Sequence, residues 1–126
     1  MVGRWAPTVL WMAVVFFFSS LSHLGPAARV PDWISHPIEY GVGAALVCRA
    51  LDGDRRRALT VSTALTATLL TTAYGVTDEY HQSFVPGRTS DPLDVAKDLA
   101  GSAAASFVYR RWSMAAIAAR TPPSPR

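Results

Sequence analysis

Apolar residues along this chain do not recur every three or four positions. They come as blocks that are apolar on every side, with the charges swept into the gaps between them. The first block runs from Trp5 to Leu21 behind Arg4, through Val14-Val15-Phe16-Phe17-Phe18. No small-x-small cleavage site follows it, so it reads as a membrane-spanning helix rather than as a signal peptide. The second runs from Ile34 or Pro37 to Leu51, with Glu39 near its start and Arg49 near its end. The third, Ala58 to Val76, is 19 residues without a charge. At about 1.5 Å per residue that is long enough for a bilayer core of roughly 30 Å. It also carries Thr60, Ser62, Thr63, Thr66, Thr68, Thr71 and Thr72, small hydroxylated residues that suit a closely packed interface. The fourth, Leu93 to Trp112, opens on Asp94, Lys97 and Asp98 and turns apolar only from Leu99 to Tyr109.

These blocks predict an all-α fold, an integral membrane bundle of about four transmembrane helices occupying residues 1–112. Beyond Arg110-Arg111, an alanine-rich stretch and Thr121-Pro122-Pro123-Ser124-Pro125 predict a disordered cytoplasmic tail over 113–126. The expected localisation is the cell membrane, multi-pass, with the lipid bilayer as partner. Placing both termini in the cytoplasm puts nine basic residues inside: Arg4, Arg49, Arg55, Arg56, Arg57, Arg110, Arg111, Arg120 and Arg126. Arg29, Arg88 and Lys97 are left outside, together with most of the carboxylates and with His23, His36 and His81.

Length and composition narrow the picture further. A chain of 126 residues has room for one domain. The net charge of +3 would allow nucleic acid as a partner, but the arginines sit beside apolar blocks and form no patch interleaved with aromatics, so that class is set aside. Cys48 is the single cysteine, which excludes a disulfide within the chain and a cysteine-based metal site.

The densest polar stretch is Asp78-Glu79-Tyr80-His81-Gln82, directly after the third block. In a helix Asp78, His81 and Gln82 share one face, being three and four apart. Pro86-Gly87 then breaks the helix and lets Arg88 fold back toward the carboxylates. Asp91, Asp94 and Asp98 stand at i, i+3 and i+7, an acidic stripe expected to face that of the third helix. Ionisable groups at this position usually pair, face water or serve a function. Candidates for ligand binding are Asp78, Glu79, His81, Gln82, Arg88, Asp94 and Asp98. His81 or His36, oriented by Asp78 or Glu39, would suit a general base, because imidazole titrates near neutrality. His36-x-x-Glu39 and Asp78-x-x-His81 each put two ligand types on one helix face, so His36, Glu39, Asp78 and His81 form a candidate divalent-metal set. No cofactor is required by the sequence. A solvated helix end holding the bundle together accounts for the same residues equally well.

The string Asp78-Glu79-Tyr80-His81-Gln82 with Phe84, Pro86-Gly87-Arg88, then Asp94, Asp98 and Gly101, resembles the signature of the VanZ-like membrane proteins. Phe17-Phe18-Ser19-Ser20 resembles the end of that family's first helix, and Asp32 with His36, Glu39, Tyr40 and Gly41 the opening of its second. Trp33 stands where the family commonly has lysine, and Asp98 where it often has asparagine, which makes the locality more negative here. The resemblance implies a compact helical membrane protein of the bacterial cell envelope, linked in one member to teicoplanin, a glycopeptide antibiotic.

Two functional expectations follow. In the first, an extracytoplasmic polar cluster binds or modulates an envelope component such as a cell-wall precursor, a lipid headgroup or a membrane partner protein, with a link to glycopeptide susceptibility. In the second, the protein is a membrane-edge enzyme, a hydrolase or transferase on a lipid-linked substrate, using a His/carboxylate pair with or without a metal. Transport is a third class, for which four helices are few.

Overall fold

The computed structural model describes residues 2–23, 25, 30–53 and 57–120. They form four α-helices: α1 (Val2–Ser19), α2 (Asp32–Leu51), α3 (Val61–Gln82) and α4 (Pro92–Ala118). Each start has a local cause. Pro31 precedes α2, whose first turn carries Asp32 against the positive end of the helix dipole. Thr60 caps α3, its hydroxyl accepting from the Thr63 backbone N–H at 3.1 Å. Asp91 caps α4, accepting from Leu93 N–H at 2.9 Å, with Pro92 in the first turn where its missing donor costs nothing. α4 runs past Trp112 to Ala118, because the alanine-rich stretch after Arg111 is made of strong helix formers. Residues 121–126 of the expected tail lie outside the described residues, as do Arg29, Arg55, Arg56 and Arg126.

The most extensive interface joins α2 to α4. A side chain at Gly101 would put its Cβ 2.1 Å from the Pro37 carbonyl oxygen, and one at Gly41 would sit 3.4 Å from the Gly101 carbonyl oxygen. The two backbones are therefore in direct contact, and the interface continues through small buried residues, Ala44 and Cys48 on α2 and Ser102 and Ser106 on α4. Farther along, Val47, Cys48, Leu59, Ala64 and Ala67 form a core closed by Leu51 and Tyr109. α1 packs less closely. It is tied to the end of α2 by Arg4, which donates to the Ala50 carbonyl at 2.6 Å, and by Arg49, which donates to the Arg4 carbonyl at 3.3 Å. Tyr74 on α3 donates to the Met12 carbonyl at 2.7 Å. Because the core is built from small side chains, large apolar ones such as Leu10, Phe17, Leu69 and Val108 remain on the outside.

The all-α bundle of four helices is present, but the transmembrane assignment is not supported. Among the described residues no helix is long and apolar enough to cross a membrane. Polar or helix-breaking residues lie in every block. α1 carries Arg4 and Pro7. α2 contains Asp32, Glu39 and Arg49. α3 replaces apolar bulk by threonines and ends in Asp78, Glu79 and His81. α4 holds Asp94, Lys97 and Asp98 at one end and Arg110 and Arg111 toward the other. Lack of a charge between Ala58 and Val76 is not enough when so many of those positions are hydroxyls. With the spans go the expectations built on them: the multi-pass localisation with both termini cytoplasmic, the bilayer as partner, and the envelope-binding function on an outward face with its glycopeptide (teicoplanin) link.

Gly101→Ala is expected to destabilise the fold by about 1–3 kcal/mol, the range for forcing extra atoms into a packed interface. Gly3→Ala, whose Cβ meets nothing within 4 Å, should leave the fold intact and raise its stability by at most about 1 kcal/mol, the gain in helix propensity. Chemical denaturation of both variants checks the difference.

Candidate functional site

The α2–α4 contact places His36, next to Pro37, against the face of α4 that carries Asp94 and Asp98. His36 Nδ1 lies 2.8 Å from Asp98 Oδ1, and Asp98 is fully buried. An ionised carboxylate only accepts, so Nδ1 carries the proton. That leaves Nε2 turned toward Asp94, whose Oδ2 is 3.6 Å away. Lys97 donates to the other oxygen of Asp94. Tyr40, one turn beyond His36 and 1% exposed, lies parallel to its ring with centroids 6.2 Å apart. Glu79 reaches the same place from the end of α3, its Oε2 accepting from the Asp91 backbone N–H at 2.9 Å.

His36, Glu79 and Asp94 each offer one ligand atom, and the three atoms lie within 4.8 Å of one another. One imidazole and two carboxylates make a donor set for a divalent transition metal. Closing on an ion with bonds of about 2.0–2.2 Å takes only small side-chain movements. Asp98 stands behind the imidazole as the carboxylate partner that metal-binding histidines typically have. Gly75 on α3 makes room for it, since a Cβ there would be 2.5 Å from Asp98 Oδ2 and 3.1 Å from the Tyr40 ring.

Beside this cluster opens a cavity of about 470 Å³ lined by His36, Glu39, Asp78, Gln82, Arg88 and Asp94, with Val15, Phe18 and Val30 on its apolar side. Arg88 does fold back, helped by Gly87 at φ 80°. It reaches Gln82 rather than a carboxylate, with Nε and Nη2 3.3 and 2.8 Å from Oε1. The same Gln82 side chain donates from Nε2 to Asp78 Oδ2 at 2.9 Å.

His81 goes elsewhere. Its Nε2 is 3.0 Å from the Ser20 hydroxyl, and its ring stacks on Phe16 of α1 with centroids 4.5 Å apart. The Asp78–His81 pairing is thus replaced by Asp78–Gln82, and the residue that joins His36 from this stretch is Glu79. Asp91 leaves the acidic stripe to cap α4, and Asp98 faces His36 of α2. Gly75 was not singled out in the sequence, although an isolated glycine inside a helical run often marks a close approach.

Burial acts in one direction on the acids here. It pushes Glu39 up, against the opposing pull of the His36 charge. It pushes Glu79 up despite the hydrogen bond from Asp91. It pushes Asp98 up despite the hydrogen bond and charge of His36. For His36 burial pulls down, but the Asp98 hydrogen bond and the charges of Asp98, Asp94 and Glu79 outweigh it, so the imidazole is held above its usual range. Tyr74 is pushed up by burial to about 12.

The profile of the VanZ/LLP1 family matches residues 34–114. The chain belongs to the VanZ/LLP1 family. His36, Glu39, Asp78, Glu79, Asp94 and Asp98 all fall inside the matched segment, whereas α1 lies before it. The VanZ/LLP1 segment therefore carries the whole His/carboxylate cluster on α2, α3 and α4, and α1 adds the apolar wall of the cavity. No curated protein and no solved structure matches the chain.

A carboxyl group raised on folding binds its proton more tightly in the folded state, so the stability it contributes at low pH is lost as pH rises through its folded value. A raised histidine follows the same sign, with its contribution present below the unfolded value and lost above the folded one. Glu39, Glu79, Asp98 and His36 thus act together. The metal-free protein is expected to melt at a higher temperature at pH 5 than at pH 8. Asp98→Asn should flatten this slope, because it removes both one raised carboxyl and the main charge holding His36 up. Thermal melts across that range check both statements.

Proposed function

We propose that this VanZ/LLP1 protein is a metal-assisted enzyme, a hydrolase or transferase, with its centre at His36, Glu79 and Asp94. The observation that carries the reading is the hydrogen bond between His36 and buried Asp98. It orients the ring so that Nε2 faces Asp94 and Glu79, where release of its proton would leave a lone pair for a metal ion. Without an ion a charged His36 pairs with Asp94; a divalent cation that displaces the Nε2 proton would be held by His36, Asp94 and Glu79 together.

When bound, a divalent ion would supply a Lewis acid and a water ionisable near neutral pH. The protein's own groups do the rest. His36 is held in plane by Asp98 and by the parallel Tyr40 ring. Asp94 is oriented by Lys97, and Glu79 by the Asp91 backbone. The cavity beside the cluster has Val15, Phe18 and Val30 among its apolar lining and Glu39, Asp78 and Arg88 among its polar lining.

Purified protein stripped with chelator should take up one Zn²⁺ or Mn²⁺ per chain, measured by elemental analysis and calorimetry. Loss of a directly ligating group, in His36→Ala or Asp94→Asn, should abolish stoichiometric binding. Asp98→Asn should weaken it by roughly 10–100-fold, the usual cost of losing an outer partner. Uptake no greater in the wild type than in His36→Ala would remove the proposal.

A further inference from the structure

We propose that Arg88 is the anion receptor of this site, so that the substrate carries an oxyanionic group, a phosphate or a carboxylate, on an apolar body. The inference names the substrate class of the metal-assisted centre and rests on that reading for its catalytic meaning, while Arg88 itself is no metal ligand and is tested apart from the cluster.

Arg88 lines the cavity together with Asp32, Glu39, Asp78 and Asp94. An arginine among four carboxylates would ordinarily pair with one of them, through the two-pronged contact that its planar fork favours. It does not. Among the described residues Arg88 forms no ion pair, the pairs of this region being His36–Asp94, His36–Asp98 and Lys97–Asp94. Nε and Nη2 converge instead on one neutral oxygen, Gln82 Oε1, at 3.3 and 2.8 Å. Gln82 is buried and is itself fixed by the bond from its Nε2 to Asp78 Oδ2 at 2.9 Å. The amide therefore holds the guanidinium in place without cancelling its charge. Nη1 makes no hydrogen bond among the described residues and is not buried, and Arg88 as a whole is only partly covered, so the guanidinium keeps donors open to a ligand.

The acids of the cavity do not forbid an anion once each is followed to its partner. His36, which is held toward its charged form, stands 3.6 Å from Asp94, and both pass to a divalent ion when one binds, together with Glu79. Asp78 is engaged by Gln82, burial draws Glu39 toward its neutral form, and Asp32 is exposed to water, which screens it. The guanidinium and the ion are then two cationic points on one cavity. Such points are the usual partners of a phosphoryl or carboxyl oxygen whose charge grows during transfer. A cationic substrate would be opposed by both, and a neutral one would leave Arg88 without a counter-charge. Val15, Phe18 and Val30, which line the same cavity, suit the carbon skeleton that carries the anion.

The test titrates phenyl phosphate and benzoate, with benzyl alcohol as their uncharged counterpart, into the full-length protein loaded with Zn²⁺, followed by NMR and calorimetry. Saturable binding of one anion per chain is expected, with no matching response to benzyl alcohol, and the two anions show which oxyanion the site takes. Arg88→Gln should weaken that binding by roughly tenfold or more, the scale of one charge-assisted hydrogen bond. Arg88→Lys, which keeps the charge but loses the fork, should fall between it and the wild type. Both variants should still take up one Zn²⁺ and melt close to the wild type, which separates a lost receptor from a lost fold. Unchanged affinity in Arg88→Gln, or equal responses to anions and alcohol, would overturn the proposal. Failure of the metal reading would show separately, as indifference of Zn²⁺ uptake to His36→Ala, and the Arg88 comparison is then made without Zn²⁺.

Discussion

The structure depends on the contact between the backbones of α2 and α4 at Pro37 and Gly101. Helices carrying ordinary side chains pack with axes about 8–10 Å apart. Here a Cβ at Gly101 would lie inside bonding-range exclusion of the Pro37 carbonyl, so the approach exists only because that position has no side chain. The consequence is chemical as well as structural. His36 is adjacent to Pro37, and Asp98 is one turn before Gly101, so the closest point of the two helices is also where an imidazole meets a buried carboxylate. The interface and the candidate centre are one feature.

Such an arrangement burdens the fold. Asp98 is buried with one oxygen unpaired, Asp78 likewise, and Glu79 and Glu39 are drawn out of water around them. Removing carboxylates from water is unfavourable unless they are paired. His36, Lys97, Gln82 and the Asp91 backbone offset part of the cost, but not the two orphaned oxygens. A bundle built only for stability would have no use for them. Buried groups of this kind cluster at functional sites.

The roles divide cleanly among helices. α2 brings His36 and Glu39, α3 brings Asp78, Glu79 and Gln82, and α4 brings Asp94 and Asp98. Chemistry-bearing side chains are thus spread over three rigid elements, none of which could form the cluster alone. α1 contributes no acid to it. It closes the cavity with Val15 and Phe18 and is held by Tyr74, while His81 is spent on Ser20 and Phe16.

Four helices and their approximate limits were legible in the sequence, because apolar blocks separated by Pro, Gly and charge carry local information. The polar stretch after the third block, the acids of the fourth and His36-x-x-Glu39 stood out in the sequence as candidates, and His36, Glu39, Asp78, Gln82 and Asp94 among them line one cavity. Two other matters were not. Whether a block is apolar enough to cross a membrane depends on the sum over a helix, and counting charges alone overrated a stretch whose threonines dilute it. Which acid joins His36 depends on how α3 is rotated within the bundle. Asp78, Glu79 and His81 are neighbours in sequence, but about 100° per residue separates their directions. Rotation is set by what packs against the helix, through Gly75 admitting Asp98 and Tyr40, and only the assembled structure holds that information. Spacing along one helix determined which residues could act together; the meeting of three helices decided that Glu79 and Asp94 stand with His36 while His81 turns away.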